Sequence, residues 1–293
     1  MNPLMDLIKS LRPRQWTKNL VVFAGLLFAQ KATDPHAVLE AVEAFLVFCL
    51  LSGATYMIND ALDVERDRLD PVKRNRPMAA GRMSVAFGVA SAIILIIVAL
   101  IASYAAAGWP LLKVCLAYLG ITLAYSGLLK HIVIVDVFAI ASGFVLRAVA
   151  GAVAVQAEIS PWLIICTMLL ALFLALAKRR GEITTLGDDA ASHRAILAEY
   201  SLDLLDQMIS VMTASTLMSY ALYTISERTV AIVGNTNMLY TIPFVIYGIF
   251  RYLYLIHQKG QGGHPERVLL RDWPLMINLL LYGCAVGLIL YLR

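Results

Sequence analysis

Acidic and basic side chains crowd together in one stretch of this chain, residues 59–77, which reads NDALDVERDRLDPVKRNRP. The acidic residues come first and the basic residues follow, in the order Asp60, Asp63, Asp67, Asp70, Lys73, Arg74 and Arg76. Four residues along an α-helix turn the side chain by about 400°, so Asn59, Asp63 and Asp67 should project from nearly one face. A carboxylate deep in an apolar helix costs about 2.5 to 3.5 kcal/mol to insert, so we expect this column to face water or an ion.

The chemistry of this stretch fits a magnesium ion bound to phosphate. Carboxylate and amide oxygens on one helical stripe suit Mg²⁺, which keeps several waters and is completed by substrate phosphates. A cation alone would explain the acids, whereas phosphate also explains the bases, because Arg offers it a planar fork and Lys a point charge. Pro71 should end the helix and let the basic residues fold back over the column. The alternative is a solvated loop whose acids and bases neutralise one another.

The rest of the chain predicts a helical membrane protein. Of its 293 residues, 60% are hydrophobic and 15% are charged, whereas an ordinary soluble domain carries roughly 25% charged residues. Apolar windows of roughly 20 residues recur along the whole length. We therefore expect an all-α integral membrane protein with a single transmembrane domain over residues 1–293. The nine predicted spans are 19–34, 38–58, 84–107, 111–129, 132–155, 160–177, 206–226, 237–257 and 273–292. Breaks are predicted at Asp34-Pro35, Gly108-Trp109-Pro110, Ser160-Pro161 and the glycine-rich residues 258–267, all of which suit turns.

Two further patterns concern the N-terminus and the orientation. Apolar residues recur at helical spacing at Leu4, Leu7, Ile8 and Leu11. Residues 1–16 therefore predict an amphipathic helix at the membrane interface, ended by Pro13 and anchored by Trp16; an ordinary cytosolic tail is the alternative. Lys and Arg concentrate in the loops that follow the even-numbered spans, which predicts an N-in, C-out orientation and places residues 59–77 on the cytoplasmic face.

The acidic and basic stretch also carries a resemblance to a known family. The pattern N-D-x-x-D-x-x-x-D from Asn59, followed by D-P-x-K-x-x-R-P, resembles the first aspartate motif of the UbiA superfamily of intramembrane prenyltransferases. The resemblance implies a nine-helix UbiA-like bundle in which this motif binds Mg²⁺ and a diphosphate. It implies metal ligands at Asn59, Asp63 and Asp67, and a catalytic group of Asp63, Asp67, Lys73 and Arg76. Asp60 lies off the column and is a weaker candidate.

The second aspartate motif of that superfamily has no counterpart here. Most members that use a prenyl diphosphate carry it after helix 6, where this chain has ALAKRRGEITTLGDDAASHR, residues 175–194. Lys178, Arg179 and Arg180 stand there, and Asp188 and Asp189, which follow several residues later, could still assist. Three cations suit a donor with more phosphate than a prenyl diphosphate has. The alternative is a helix C-terminus that the macrodipole and the inner-loop position make favourable for positive charge.

Three blocks together resemble one branch of the superfamily, the decaprenyl-phosphate phosphoribosyltransferases: RPRQWTKN, LAYSGLLKHIVIVDVFAIASGFVLRAVAGAVA and LLALFLALAKRRGE. The likeness covers most of residues 10–225. Enzymes of this branch move 5-phosphoribose from phosphoribosyl pyrophosphate to a polyprenyl phosphate. The resemblance implies substrate contacts at Lys18, Lys73, Arg74, Arg76, Tyr125, Lys130, Asp136, Arg147, Lys178 and Arg179.

Several of these residues also have structural interpretations. Tyr125 could be an interfacial tyrosine, and Lys130 a lysine that extends its ammonium to the interface. Asp136 and Arg147 share a helix face, but about 16 Å along the helix axis separates them, which is too far for a direct ion pair. An arginine inside a span is a functional candidate by default, although Arg147 could equally be a structural ion partner.

These patterns lead to one functional prediction, a magnesium-dependent phosphoribosyltransferase in a bacterial-type inner membrane with its active site facing the cytoplasm. Its partners would be phosphoribosyl pyrophosphate, a decaprenyl-like polyprenyl phosphate and membrane lipid, with no nucleic acid and with a homo-oligomer as a possible assembly. The resemblance leaves open whether the product serves cell-wall biosynthesis or another glycolipid. The main alternative is a prenyltransferase that joins a prenyl diphosphate to an aromatic or other acceptor. A transporter would instead place its charges near the bilayer midplane in broken helices.

Overall fold

A computed structural model describes residues 3–70, 72–187, 195–263, 268 and 271–291. These residues form helices and no strand, which confirms the all-α prediction. The α-helices are α1 Pro3–Ser10, α2 Phe23–Phe28, α3 Pro35–Leu62, α4 Val64–Leu69, α5 Val85–Gly127, α6 Val135–Ala154, α7 Pro161–Leu186, α8 Leu202–Ile225, α9 Glu227–Val233, α10 Ile242–Lys259 and α11 Trp273–Tyr291. Segments of 3-10 helix cover Pro13–Val22, Lys73–Asn75, Leu129–His131, Ala195–Glu199 and Asn237–Thr241. The features predicted at Pro71, Asp188 and Asp189 lie outside the described residues.

Seven of the helical segments are long and apolar enough to cross a membrane. They are Pro35–Leu62, Val85–Gly127, Val135–Ala154, Pro161–Leu186, Leu202–Ile225, Asn237–Lys259 and Trp273–Tyr291. The predicted count of nine spans is not confirmed, for two reasons. The first predicted span is a 3-10 segment followed by the six-residue α2. The third and fourth predicted spans form the single 43-residue α5, whose backbone is non-helical at Ala107 and Gly108.

Short polar residues and prolines set where several spans begin. Asp34 precedes α3, and its carboxylate accepts a hydrogen bond from the backbone N–H of His36 at 2.9 Å. Pro35 then takes the first helical position, where a missing N–H costs nothing. Ser84 caps α5 by accepting from the N–H of Phe87. The starts of α3 and α7 therefore coincide with the predicted breaks at Asp34-Pro35 and Ser160-Pro161.

The chain divides into two compact units, Met1–Lys130 with Ser142–Ile159, and His131–Ala141 with Ser160–Arg293. The core of the first unit includes Phe48, Leu51 and Tyr118, which α3 and α5 contribute, and the rings of Phe48 and Tyr118 lie 5.1 Å apart. Val22 of the first 3-10 segment is completely buried in the same cluster. This segment passes so close to α6 that a Cβ added at Gly151 would lie 1.7 Å from the carbonyl oxygen of Val22.

Helix α1 is shorter than the predicted amphipathic helix of residues 1–16. It ends at Ser10 because Arg12 has a left-handed backbone, with φ +53°, and Pro13 begins the 3-10 segment. Its apolar residues Leu4, Met5 and Ile8 are exposed, while Asp6 is buried and ion-paired with Arg82 at 3.3 Å. The outward apolar face is the one that an interfacial helix would present to lipid, so this position stays a prediction.

The second unit is built on α7, α8, α10 and α11. Helix α7 packs along α8, and Arg180 of α7 forms an ion pair with Asp206 of α8. The ring of Phe173 on α7 lies 5.5 Å from that of Tyr252 on α10. Buried aromatic contacts and a partly buried ion pair therefore tie α7, which carries the KRR residues, to its neighbours.

We expect the Gly151→Ala variant to be less stable than the wild type by about 1 to 3 kcal/mol, because the new methyl group has no space beside Val22. A Cβ added at Gly120, on α5, would meet no atom of the described residues within 4 Å, so Gly120→Ala should be neutral or stabilising by about 0.5 to 1 kcal/mol. Thermal unfolding in detergent measures both. Equal midpoints for the two variants would contradict the packing described for Gly151.

Candidate active site

The predicted aspartate column is continuous along the backbone. The N–H of Asp63 donates to the carbonyl of Asn59 at 3.0 Å, and the N–H of Asp67 donates to the carbonyl of Asp63 at 2.8 Å. Helical hydrogen bonding therefore continues through Asp63, where α3 ends and α4 begins. The amide nitrogen of Asn59 also donates to the Asp63 carboxylate at 3.0 Å. The three residues follow one another on successive turns, as their spacing predicts.

Cations from two other segments contact this column. The ammonium of Lys130 lies 3.1 Å from Oδ1 of Asp63. The guanidinium of Arg76 lies 2.5 Å from Oδ2 of Asp67, which is buried. Residues 63 and 130 are far apart in sequence, so the fold brings together two groups that the sequence analysis had assigned separately, one to a metal and the other to phosphate.

Asp60, which the sequence analysis ranked as a weaker candidate, has two arginine partners in the structure. It is buried and accepts hydrogen bonds from Arg12 and, at 2.9 Å, from Arg76, which also pairs with Asp67 of the column. Arg12 also lies over the ring of Tyr56, 4.9 Å from its centroid. Asp60 and Asp67 are seven residues apart, so the helical period places them within about 20° of one another, but the sequence has no local signal that Arg12 would meet Asp60 there.

The loop after the column is organised by Asp70. Its carboxylate accepts from the backbone N–H groups of Val72 at 2.8 Å and Lys73 at 2.9 Å, and it lies 3.3 Å from the Lys73 ammonium. Burial alone would raise the pKa of Asp70, but the two N–H donors and the Lys73 charge together lower it below its usual value. Lys73 is thus held at the start of the 3-10 segment, while Arg74 beside it is exposed.

The donor atoms of the column suit a divalent cation. Asn59 uses its amide nitrogen toward Asp63, which leaves its amide oxygen as the atom that can bind a metal, and the two aspartates supply carboxylate oxygens. Within the described residues, no three His, Cys, Asp or Glu side chains are grouped as a ready metal site. The candidate site therefore consists of one amide and two carboxylates whose charge is balanced by Lys130 and Arg76, and Mg²⁺ can accept such a set when water and phosphate complete its shell.

Two further predicted ligands are half-buried. Lys18 lies on the 3-10 segment Pro13–Val22, and Tyr125 lies in the last turn of α5, three residues before that helix is capped by Leu128. Both belong to the first unit, with the aspartate column.

Arg147 is buried on α6 and is fully engaged by neutral groups. Its guanidinium donates to the Asn19 side chain at 2.7 Å, to the carbonyl of Gly143 at 2.8 Å and to the Tyr118 hydroxyl at 2.8 Å. The ring of Phe144 lies 5.3 Å away. Arg147 thus connects α6 to α5 and to the first 3-10 segment. Asn19, which is completely buried, is a residue that the sequence analysis missed.

Asp136 and Arg179 pair with one another in the second unit. The Arg179 guanidinium lies 2.8 Å from Asp136 and 2.7 Å from Glu182, and both Arg179 and Asp136 are almost completely buried. The Tyr200 hydroxyl donates to Asp136 at 2.8 Å and accepts from the N–H of Ile134. Burial, together with the neighbouring Asp136, raises the pKa of Tyr200 to about 12, so its hydroxyl stays protonated at neutral pH. Asp136 therefore has partners other than Arg147, as the predicted axial distance required.

The glycine that follows KRR makes a close backbone contact. A Cβ added at Gly181 would lie 2.2 Å from the backbone nitrogen of Gly263 and 2.3 Å from the carbonyl carbon of Gly262. The glycine-rich loop after α10 therefore rests directly on α7, one residue beyond Arg180. Lys178, one turn earlier, is half-buried and lies 3.7 Å from Glu182.

Comparison with known proteins gives consistent matches. Residues 19–271 match the UbiA prenyltransferase family. A protein of Corynebacterium glutamicum named decaprenyl-phosphate phosphoribosyltransferase is 34% identical over 98% of this chain and 87% of its own length. A protein of the same name from Mycolicibacterium smegmatis is 33% identical over 99% of this chain and 94% of its own length.

Solved structures match the fold at lower sequence identity. A UbiA homolog from Archaeoglobus fulgidus bound to GPP and Mg²⁺ superposes with a TM-score of 0.72 over 97% of this chain and 99% of that chain, at 19% identity. A digeranylgeranylglyceryl phosphate synthase structure gives a TM-score of 0.71 over 99% of both chains, at 18% identity. At these identities the likeness concerns the fold.

The Asp136→Asn variant should lose about 3 kcal/mol of stability, the low end of the cost of breaking a buried ion pair, because the buried Arg179 loses Asp136 but keeps Glu182 as a carboxylate partner. Glu65→Gln, which breaks the exposed pair with Arg68, should leave the unfolding midpoint unchanged and serves as the control. Thermal unfolding of both purified variants measures the difference. A stable Asp136→Asn protein that has lost only affinity for phosphoribosyl pyrophosphate would show that Asp136 binds substrate instead.

Proposed function

The chain belongs to the UbiA prenyltransferase family, and on that basis we propose that it transfers 5-phosphoribose from phosphoribosyl pyrophosphate to a polyprenyl phosphate in a magnesium-dependent reaction. The observation that carries this proposal is its similarity, over nearly the full length, to relatives named decaprenyl-phosphate phosphoribosyltransferase. Among the KRR residues in place of a second aspartate motif, Lys178 is the most exposed and supports the same donor, because a 5-phosphate adds charge that a prenyl diphosphate lacks. Arg179 and Arg180 are ion-paired with Asp136 and Asp206.

The reaction is a displacement at the anomeric carbon of the ribose. An oxygen of the lipid phosphate forms the new bond to this carbon, and the bond to pyrophosphate breaks with its electron pair on the departing oxygen. The second pKa of a phosphate monoester is about 6, so the attacking oxygen is mostly ionised at pH 7 and needs no strong base. The protein's task is therefore to position two anionic substrates and to stabilise the charge on the leaving group.

In the first unit, different residues would bind the metal and the phosphate groups. Asn59, Asp63 and Asp67 would hold Mg²⁺, which neutralises charge on the pyrophosphate when it is bound. Arg76 and Lys130 contact those carboxylates, so they stand within reach of an anion at the same place. Their contribution is charge-assisted hydrogen bonding to phosphate oxygens.

Other cations and hydroxyls are proposed as substrate contacts. Lys73 is ordered by Asp70 and Arg74 is exposed, which suits recognition of a soluble phosphate. The remaining proposed contacts are Lys18 and Tyr125 in the first unit, Lys178, Arg179 and Asp136 in the second unit, and Arg147 on α6. Arg179, Asp136 and Arg147 already have buried partners within the protein, so a positioning role accounts for them more directly than substrate contact.

We further propose nine crossings with the N-terminus inside and the site facing the cytoplasm. The 43 residues of α5 would extend about 65 Å as one helix, twice the roughly 30 Å of a bilayer core, so its break at Gly108 suits two crossings. The ten 3-10 residues and six α-helical residues before Ala29 together extend about 29 Å, which suits one more. The concentration of Lys and Arg on one side supports the orientation.

Purified protein given labelled phosphoribosyl pyrophosphate and decaprenyl phosphate should form a labelled lipid and release pyrophosphate. A parallel reaction with labelled geranyl diphosphate and an aromatic acid tests the prenyltransferase alternative, because the fold is shared with a structure that holds GPP. Thin-layer separation of the lipid products measures both. A labelled product only in the second reaction would overturn the proposed donor.

The Asp63→Asn variant should fold normally and lose at least about 100-fold in turnover, because a metal ligand is replaced by a neutral amide. Chelation of divalent ions should abolish wild-type turnover in the same assay. Glu65→Gln is the matched control, since Glu65 lies between Asp63 and Asp67 in sequence but is exposed. Full activity of Asp63→Asn, or of the chelated wild type, would exclude the metal role.

A further inference from the structure

One arginine is shared by two buried carboxylates. Nη1 of Arg76 lies 2.9 Å from Oδ1 of Asp60 and 2.5 Å from Oδ2 of Asp67. The two carboxylates are equally buried, with 4% of each side chain exposed. Asp60 also accepts from Arg12, whereas within the described part of the chain no other Lys or Arg forms an ion pair with Asp67. The two aspartates therefore depend on Arg76 to different degrees.

We propose that Asp60 is a positioning residue that keeps Arg76 beside the column while Asp67 exchanges Arg76 for a divalent cation. Arg76 is then an internal counter-ion of the metal-free protein, and metal binding releases it toward the pyrophosphate. This inference rests on the proposed function, since it takes Asp67 as a metal ligand and Arg76 as a phosphate ligand.

The charges of the network make this exchange feasible. When a cation replaces Arg76 at Asp67, the carboxylate stays neutralised, and Arg76 keeps a carboxylate partner in Asp60, whose single negative charge it shares with Arg12. Both described ion pairs of Arg76 use Nη1, so Nε and Nη2 can donate to phosphate oxygens without leaving Asp60. Without Asp60, Arg76 would have Asp67 as its one carboxylate partner in this network and would compete more strongly with the metal.

The proposal predicts opposite effects for two variants in a metal titration without substrate. Arg76→Gln should bind Mn²⁺, as a paramagnetic substitute for Mg²⁺, about fivefold or more tightly than the wild type, because the competing cation is gone. Asp60→Asn should bind it about fivefold or more weakly, because Arg76 is then concentrated on Asp67. Electron paramagnetic resonance of free Mn²⁺ in the presence of the purified full chain gives both dissociation constants.

A double variant and a matched control separate this mechanism from general damage. Asp60→Asn in the Arg76→Gln background should leave Mn²⁺ affinity as it is in Arg76→Gln alone, since Asp60 acts through Arg76. Asp6→Asn removes another buried carboxylate from an Arg pair in the same unit and should leave Mn²⁺ affinity at the wild-type value. Thermal unfolding with saturating Mn²⁺ verifies that each variant is folded.

The outcomes distinguish this inference from the proposed function. Unchanged or weaker Mn²⁺ binding by Arg76→Gln, or an equal loss caused by Asp60→Asn in both backgrounds, overturns the exchange even if phosphoribosyl transfer is intact. The predicted pattern of affinities in a protein that does not use phosphoribosyl pyrophosphate supports the exchange and overturns the proposed donor. As a single substitution, Asp60→Asn should also raise the KM for phosphoribosyl pyrophosphate, because Arg76 reaches its phosphates less often.

Discussion

Carboxylates at the ends of apolar helices are expensive to desolvate, and the candidate site is organised around their neutralisation. Asp63 is balanced by Lys130, and Asp60 and Asp67 share Arg76. Each partner comes from a different segment, so the same ion pairs that make the acids tolerable also fix the loop and helix ends around them. The ion pairs that neutralise the carboxylates therefore also hold the loop and the helix ends in place at this end of the first unit.

Arg179 and Arg147 are both buried outside the column, and the protein offsets the cost of burying their charge in two different ways. Arg179 is compensated by carboxylates, Asp136 and Glu182. Arg147 instead is surrounded by an amide, a hydroxyl, a carbonyl and aromatic rings. In each arrangement the guanidinium donates hydrogen bonds to several groups inside the protein. Both arginines join elements that are distant in sequence, which suits a scaffold whose reacting groups must be held in place.

Local periodicity was sufficient to predict part of this site. The i, i+4, i+8 spacing predicted the column of Asn59, Asp63 and Asp67, and Asp34-Pro35 and Ser160-Pro161 predicted two breaks at which helices in fact begin. The contacts between Arg12 and Asp60 and between Asn19 and Arg147 were not predictable, because pairs so distant in sequence depend on how helices pack. The count of nine spans is not confirmed for a related reason: hydropathy measures how apolar a window is, and does not reveal a 3-10 segment or a helix broken at one glycine.

The contact of Gly181 with the loop at Gly262 and Gly263 restricts how this protein can change. Backbone rests on backbone there, so no rotamer can move aside to make room for a larger residue. A larger residue at position 181 therefore cannot be accommodated by replacing a neighbouring side chain with a smaller one. A homologue with any other residue at this position of α7 must therefore have a different path for the loop that follows α10. A change in that loop path would identify such homologues.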